Sequence, residues 1–173
     1  GCLFTKPAVD LLASTGRGRL GRCKSRVRGL PGFGGELPVV ALAEEILTDG
    51  PGQIRGLITV AGNPALSTPN GVQLERALEA LDFMVAVDFY INETTRHAHI
   101  ILPPISPVER SHSDLALYLT AVRNVARYSP PPFKNDEGSL EDWEILSELT
   151  TRLAARRHGK LSKQYLSALA AQN

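Results

Sequence analysis

The chain has 173 residues, 43% hydrophobic, 6% aromatic and 21% charged, with nineteen Lys and Arg against eighteen Asp and Glu for a net charge of +1. That length predicts one domain able to bury about 70% of its unfolded surface, and the composition excludes disordered, collagen-like and disulfide-stapled classes. No apolar run reaches the ~18–20 residues of a membrane span, the N-terminus lacks a secretory-signal layout, and Cys2 and Cys23 are too few and too separated for a zinc site and fit a reducing compartment or an incidental pair.

Charge is unevenly placed. Residues 1–35 carry seven basic side chains (Lys6, Arg17, Arg19, Arg22, Lys24, Arg26 and Arg28) against Asp10 alone, whereas the rest holds twelve basic and seventeen acidic residues. A basic, Gly-rich stretch such as 16–29 can grip nucleic-acid phosphates. It has no interleaved aromatics and no docking helix, so the expected role is a connector whose charges meet an acidic surface or an anionic cofactor. Residues 1–35 therefore read as a basic connector and 36–173 as a folded domain.

Within the connector, Lys6–Ala13 reads as a short helix and Gly16–Gly35 as loop. A clear helix is predicted from Leu37 to Leu47, with Pro38 in its first turn and Val39, Leu42, Ala43 and Ile46 at helical spacing. Ile54–Val60 reads as a buried strand, followed by the turn Gly62-Asn63-Pro64. A second helix spans Gly71–Leu81, with Leu74, Ala77, Leu78 and Leu81 on one face. Further buried strands are Phe83–Val87 and Ile100–Leu102, with Val122–Tyr128 as a candidate fourth. Ser139 is expected to cap a long helix to Arg157, with Asp142 at the capping-box position and Trp143, Leu146, Leu149 and Leu153 on its inner stripe. Leu161–Ala171 reads as a last helix.

Strands without polar alternation are expected to be buried on both faces, as in a parallel sheet covered by helices. Their alternation with helices predicts an α/β fold with a doubly wound, mostly parallel, Rossmann-like sheet and flanking helices. Ligands in that architecture sit beyond the carboxyl ends of the strands, which directs attention to the residues after Val60 and Val87.

After Val60, Gly62 permits a tight turn or a close backbone approach to a ligand, and Asn63 offers both a donor and an acceptor. An ordinary strand-to-helix turn explains the same residues. No dinucleotide fingerprint and no phosphate loop is present. After Val87, Asp88 can accept two hydrogen bonds side by side, matching the adjacent N–H donors on guanine's Watson–Crick edge, or it can cap the turn at Asn92–Thr95. His97 and His99, two apart, would share a strand face, so a metal is conceivable there, with Glu93 as a third ligand, although structural roles are favoured. Glu109-Arg110 reads as a surface pair whose cation is able to face a phosphate or ribose. Ser111, His112 and Asp114 make no triad, since the nucleophile has no strained elbow. Trp143 is expected in the core.

These residues, in this order, resemble a family. The runs Val60-Ala61-Gly62-Asn63-Pro64, Leu81-Asp82-Phe83-Met84-Val85-Ala86-Val87-Asp88 and Glu93-Thr94-Thr95-Arg96-His97-Ala98 leading into Ile100-Ile101-Leu102-Pro103 look like one domain of the molybdopterin oxidoreductases. This is the dimethyl sulfoxide reductase superfamily, and its formate-dehydrogenase-like branch is the most similar. Glu109-Arg110 and Asp142-Trp143-Glu144-Ile145-Leu146 continue the match, which runs from about Arg28 to Arg157.

The resemblance implies a bis(molybdopterin guanine dinucleotide) cofactor bearing molybdenum or tungsten, two-electron redox chemistry, and a domain over 36–173 that holds one guanine dinucleotide arm. By position, Gly62, Asn63, Val87 and Asp88 would bind the nucleotide, with Asp88 reading guanine. Asn92 stands where the family commonly has a cofactor-contacting Thr, Arg110 where relatives often carry Lys, and Asp142 at a further acidic contact position adjoining Glu141. His99 replaces what is more often Asp. Family enzymes are several times longer, so the expected partners are remaining domains of the same enzyme, with the iron–sulfur cluster, metal ligand and substrate channel elsewhere. No catalytic or metal-ligating residue is assigned here, no nucleic acid or membrane span is expected, and the branch suggests a cytoplasmic location. A fragment of this kind is expected to have no turnover alone. The alternative is a non-catalytic structural domain of the same fold that has lost the cofactor; a free-standing guanine-nucleotide or nucleic-acid binder is a third.

Overall fold

A computed structural model describes residues 21, 23–33, 35–113 and 127–158. A 3-10 turn at Val39–Ala41 runs into helix α1 (Leu42–Leu47), followed by β1 (Gly56–Val60), α2 (Pro64–Ser67), α3 (Gly71–Glu79), β2 (Phe83–Val87), a 3-10 turn at Thr95–His97, β3 (Ile100–Leu102) and α4 (Asp142–His158). The strands form one parallel sheet in the order β1-β2-β3, with Val60 opposite Val87 and Val87 opposite Leu102. The fold is α/β, as expected.

Helices α1 and α3 pack together on one sheet face. Ala43 and Ile46 from α1, Leu74, Ala77 and Leu78 from α3, and Leu81 and Met84 form the core, with Leu57 of β1 packed against it. Partners in parallel register share a face, so Ile58, Val60, Phe83 and Ile100 lie on the opposite side, where they are 42–50% exposed. The expectation of burial on both faces thus holds for Met84–Val87 of β2 and fails for β1, which alternates exposed and half-buried residues. Helices α1 and α3 cover the face carrying Leu57 and Met84, while on the other face Val85 and Val87 are buried and Leu102 lines a cleft shared with α4.

The basic segment meets acid. Arg28 Nε lies 2.6 Å from Glu44 and Arg26 Nε 3.4 Å from Glu45. Arg26 also donates to the Thr48 carbonyl at 2.6 Å, and the Val27 N–H donates to Glu45 at 2.9 Å. Glu45 is only 4% exposed, and a carboxylate so placed is tolerated because a guanidinium and an amide N–H replace its water. Residues 16–20 of this segment lie outside the described residues, as do the predicted helices Lys6–Ala13 and Leu161–Ala171 and most of the candidate strand Val122–Tyr128.

Helix α4 differs from expectation at its start. Ser139 is not the cap; its N–H donates to the Asp136 carbonyl at 3.1 Å within the preceding turn. The Glu141 N–H instead donates to the Glu144 carboxylate at 2.8 Å, the return half of a capping box set two residues later. The inner stripe is also turned: Ile145 is buried, while Trp143 and Leu153 are 57% and 59% exposed. The helix docks beside the loop after β3, where the Ile105 N–H donates to the Leu140 carbonyl at 3.0 Å. Ile145 and Leu149 line a cleft of about 540 Å³ with Leu102 and Ile105. Trp143 therefore stays at the surface, its indole N–H donating to Glu141 at 3.0 Å.

Gly71 fixes the corner between α2 and α3. A Cβ there would lie 2.5 Å from the Ala65 carbonyl oxygen, a backbone atom that cannot swing aside. Gly71→Ala is therefore expected to lower stability by more than about 1 kcal/mol although Ala is the better helix former by ~0.8–1 kcal/mol. Val72→Ala, at a 65% exposed neighbour, is expected to stay within about 0.5 kcal/mol. Thermal unfolding of both variants measures the contrast.

Candidate functional site at the carboxyl ends of the strands

The register ends β1 and β2 level, and the Ala61 N–H continues the ladder by donating to the Val87 carbonyl at 3.0 Å. The chain then reverses at Ala61, whose φ is +48°. A left-handed conformation in a residue with a Cβ costs ~1–2 kcal/mol, so the sharp reversal falls on Ala61 and not on Gly62. A Cβ at Gly62 would meet nothing closer than the Val60 carbonyl oxygen at 3.6 Å. Nothing within the described residues requires glycine there.

Next, Asn63 is half-buried between the two exit loops. Its Nδ2 donates to Glu93 Oε2 at 2.7 Å, and its Oδ1 accepts from the Thr94 hydroxyl at 2.7 Å. That hydroxyl also accepts from the Ala65 N–H at 3.0 Å. Thr94 is fully buried. Glu93 is held below the ordinary carboxylate range, first by the hydrogen bond from Asn63, then by its own backbone amide and the positive charge of Arg96.

Asp88 leaves the end of β2 half-buried. Its Oδ1 accepts from the Tyr90 N–H at 3.0 Å and its Oδ2 from Asn92 Nδ2 at 3.3 Å. Asn92 is bound in turn: Oδ1 accepts from the Thr94 and Thr95 N–H groups, both at 2.9 Å, and its own N–H donates to Thr95 Oγ1 at 2.8 Å. This reciprocal cap opens the 3-10 turn Thr95–His97. Asp88 thus does the turn-holding task that the sequence left open, and a carboxylate with about four acceptor positions retains outward capacity. Val87 is fully buried, and its carbonyl accepts from the Ala61 N–H.

Asp88, Asn92, Thr94, Asn63 and Glu93 form one continuous hydrogen-bonded chain. Arg110 and Asp142 stand apart from it as a pair of their own, Nη1 to Oδ2 at 3.0 Å, tying the loop after β3 to the first turn of α4. Among the described residues no hydrogen bond joins the two groups. Glu109 does not pair with Arg110: Glu109 Oε2 accepts from the Ser106 N–H at 2.9 Å while the Glu109 N–H donates to the Ser106 carbonyl at 2.9 Å. Adjacent side chains in that turn diverge, so each finds a different partner. His99 Nδ1 accepts from the Met84 N–H at 3.0 Å, and His97 Nε2 accepts from Arg96 Nε at 3.3 Å.

Thr94 and Glu93 lie in the run that carries the resemblance, yet sequence position assigns neither of them a cofactor-site role. The available signal was Asn92 followed three positions later by Thr95, a capping pattern that turns the intervening Glu93-Thr94 toward the neighbouring loop.

Residues 34–152 match the molybdopterin oxidoreductase family. The chain belongs to that family. It is 33% identical over 108 residues to the assimilatory nitrate reductase catalytic subunit of Bacillus subtilis, covering 62% of this chain and 14% of that protein. It is 28% identical over 109 residues to the F420-dependent formate dehydrogenase subunit alpha of Methanocaldococcus jannaschii, covering 63% and 16%. A nitrate reductase of Synechocystis is 31% identical over 103 residues, covering 58% and 14%. Both formate dehydrogenase and nitrate reductase subunits are therefore relatives, and the aligned part of the chain spans about one-seventh of their length. The family implies a molybdopterin cofactor. Among the described residues no helix is long and apolar enough to cross a membrane.

Because the folded Glu93 titrates below its ordinary range, its contribution is fully present above that range and is lost as pH falls through the folded value. The wild type is expected to be more stable than Glu93→Gln at neutral pH, with the difference shrinking as pH falls through the folded Glu93 value, because the Gln amide oxygen still accepts from Asn63 without titrating. Denaturant unfolding of both proteins across a pH series measures it. A stability difference that does not change with pH would rule this out.

Proposed function

We propose that this chain is the part of a larger oxidoreductase that holds one guanine dinucleotide arm of a bis(molybdopterin guanine dinucleotide) cofactor with molybdenum or tungsten. Asp88 carries this reading: a carboxylate at the mouth of the central strand, immobilised by Tyr90 N–H and Asn92, with acceptor positions left for two ligand N–H donors. Guanine presents such a pair, N1–H beside the N2 amino group. Gly62 supports it, since a site where the chain's own atoms leave room for a Cβ and yet carries glycine suits close approach by a ligand backbone. One Nδ2 hydrogen of Asn63 has no partner among the described residues, and Arg110 retains donors beyond the one given to Asp142. The residues present thus fit an anionic guanine nucleotide.

When bound, the cofactor supplies two-electron redox chemistry; this chain's residues bind and orient one of its arms. In this reading Asn92 orients Asp88, and Arg110, held by Asp142, faces a phosphate or ribose. The metal ligand, any iron–sulfur cluster and the substrate pocket belong to remaining domains of the same enzyme, placed in the cytoplasm as the formate-dehydrogenase-like resemblance suggests.

In the full-length enzyme, Asp88→Asn is expected to reduce bound cofactor, measured as guanine nucleotide released on acid denaturation. An amide offers one acceptor and one mismatched donor, a loss of about 1–3 kcal/mol for a bidentate base contact, or roughly five- to 150-fold in affinity. One turn contact is lost as well: the new amide oxygen can still accept from the Tyr90 N–H, but its nitrogen then faces Asn92 Nδ2, and cofactor-free protein is expected to lose about 1 kcal/mol of stability. Full cofactor content in a destabilised variant would instead leave Asp88 as a turn residue and favour the structural-domain alternative. Gly62→Ala gives the complementary result: stability of the cofactor-free protein within about 0.5 kcal/mol of wild type, with reduced cofactor content.

A further inference from the structure

We infer that Thr94 and Glu93 are positioning residues that lock the Asn63 carboxamide in one orientation, so that the loop after β1 offers the ligand a hydrogen-bond donor. The inference rests on the cofactor-holding reading and adds two residues and a polarity to it.

The orientation follows from which partners can only donate and which can only accept. The Ala65 N–H only donates, and it occupies an acceptor position of Thr94 Oγ1 at 3.0 Å. The Thr94 proton must go elsewhere, and Asn63 lies 2.7 Å away; the amide atom facing Thr94 must therefore accept and is the oxygen. On the other side, an ionised Glu93 only accepts, so the atom 2.7 Å from its Oε2 must be the nitrogen. Reversing the amide would set its NH₂ against the Thr94 hydroxyl and its oxygen against a carboxylate. The first leaves the Thr94 proton without its acceptor, and the second sets two oxygens against each other. A buried hydroxyl without its partner is costly, and Thr94 is 0% exposed.

Glu93 stays ionised because the Asn63 hydrogen bond, its own amide and Arg96 favour the charge. Arg96 is itself held by Glu75 on α3, so the arrangement is braced from the helix. The second Nδ2 hydrogen of Asn63 has no partner among the described residues and remains for an oxygen acceptor of the nucleotide. Asp88 offers only acceptors. The two exit loops thus present opposite polarities, donor from the first and acceptors from the second.

The test exchanges the polarity and keeps the internal bonds. In Asn63→Asp the new carboxylate still accepts from Thr94 but meets Glu93 with like charge. Adding Glu93→Gln restores that contact, the introduced amide donating where Asn63 did, with net charge unchanged; only the outward group changes from donor to acceptor. In the full-length enzyme, the single variant is expected to lose both thermal stability in its cofactor-free form and bound guanine nucleotide. The double variant is expected to recover the melting temperature and still retain less than about one-tenth of the wild-type guanine nucleotide after gel filtration, the scale of one lost contact worth ~1.4 kcal/mol. Thr94→Ser, which keeps the hydroxyl, is expected to hold nucleotide as wild type does. Wild-type nucleotide content in the double variant, or loss in Thr94→Ser with an unchanged melting temperature, would overturn the inference. Wild-type enzyme that releases no guanine nucleotide would overturn the cofactor-arm reading itself.

Discussion

The level ending of β1 and β2 is the constraint on which the site depends. Parallel strands in this register deliver two chain segments to the same edge in the same direction, and both must then turn away with no further ladder to occupy their polar groups. One last backbone bond, from Ala61 to the Val87 carbonyl, closes the ladder. Beyond it the loops satisfy each other through side chains, with Thr94 buried at the centre. The left-handed Ala61 is the local cost of turning so abruptly, offset by the Asn63–Glu93–Thr94 contacts that the turn permits.

A similar economy governs the charged surface. Glu44 and Glu45 in the first turn of α1 complement the positive end of the helix and receive Arg28 and Arg26 from the preceding segment. In the basic stretch that resembles a nucleic-acid grip in composition, Arg26 and Arg28 are taken up by the acidic side chains of their own domain. The sheet has the opposite character. One face is closed by α1 and α3, and the other carries the exposed side chains of Ile58, Val60, Phe83 and Ile100, an apolar surface beside the site in a chain whose aligned part covers about one-seventh of its relatives' length.

Element type was readable where local pattern and packing agree. Phe83–Val87 and Ile100–Leu102 are short apolar runs that read as strands, and both appear with those bounds, although burial is reached only in β2, and β3 is exposed to half-buried. Gly71 onward shows helical spacing with an apolar face that suits the core. Boundaries were less readable where a competing hydrogen bond decides them. Val39–Ala41 adopts a 3-10 turn before α1, and the Ile54 N–H turns to the Glu45 carbonyl, so β1 begins two residues later than its hydrophobic pattern. Short α2 (Pro64–Ser67) carries no periodic signal at all.

For the site, sequence position sufficed to bring Asn63 and Asp88 to attention, because strand ends in a parallel sheet are the places where side chains meet a ligand. By itself the sequence determined the α/β class, the parallel strands and the family, since these reside in ordered short motifs and in runs of apolar residues. Only the tertiary structure decided that Asp88 and Asn92 hold a turn, that Arg110 meets Asp142 across thirty-two positions, and that Glu93 and Thr94 orient Asn63. Each of those contacts joins segments far apart in the chain or depends on which of two neighbouring side chains turns inward. Spacing along a sequence carries no record of that; it is settled when buried donors and acceptors must all find partners at once.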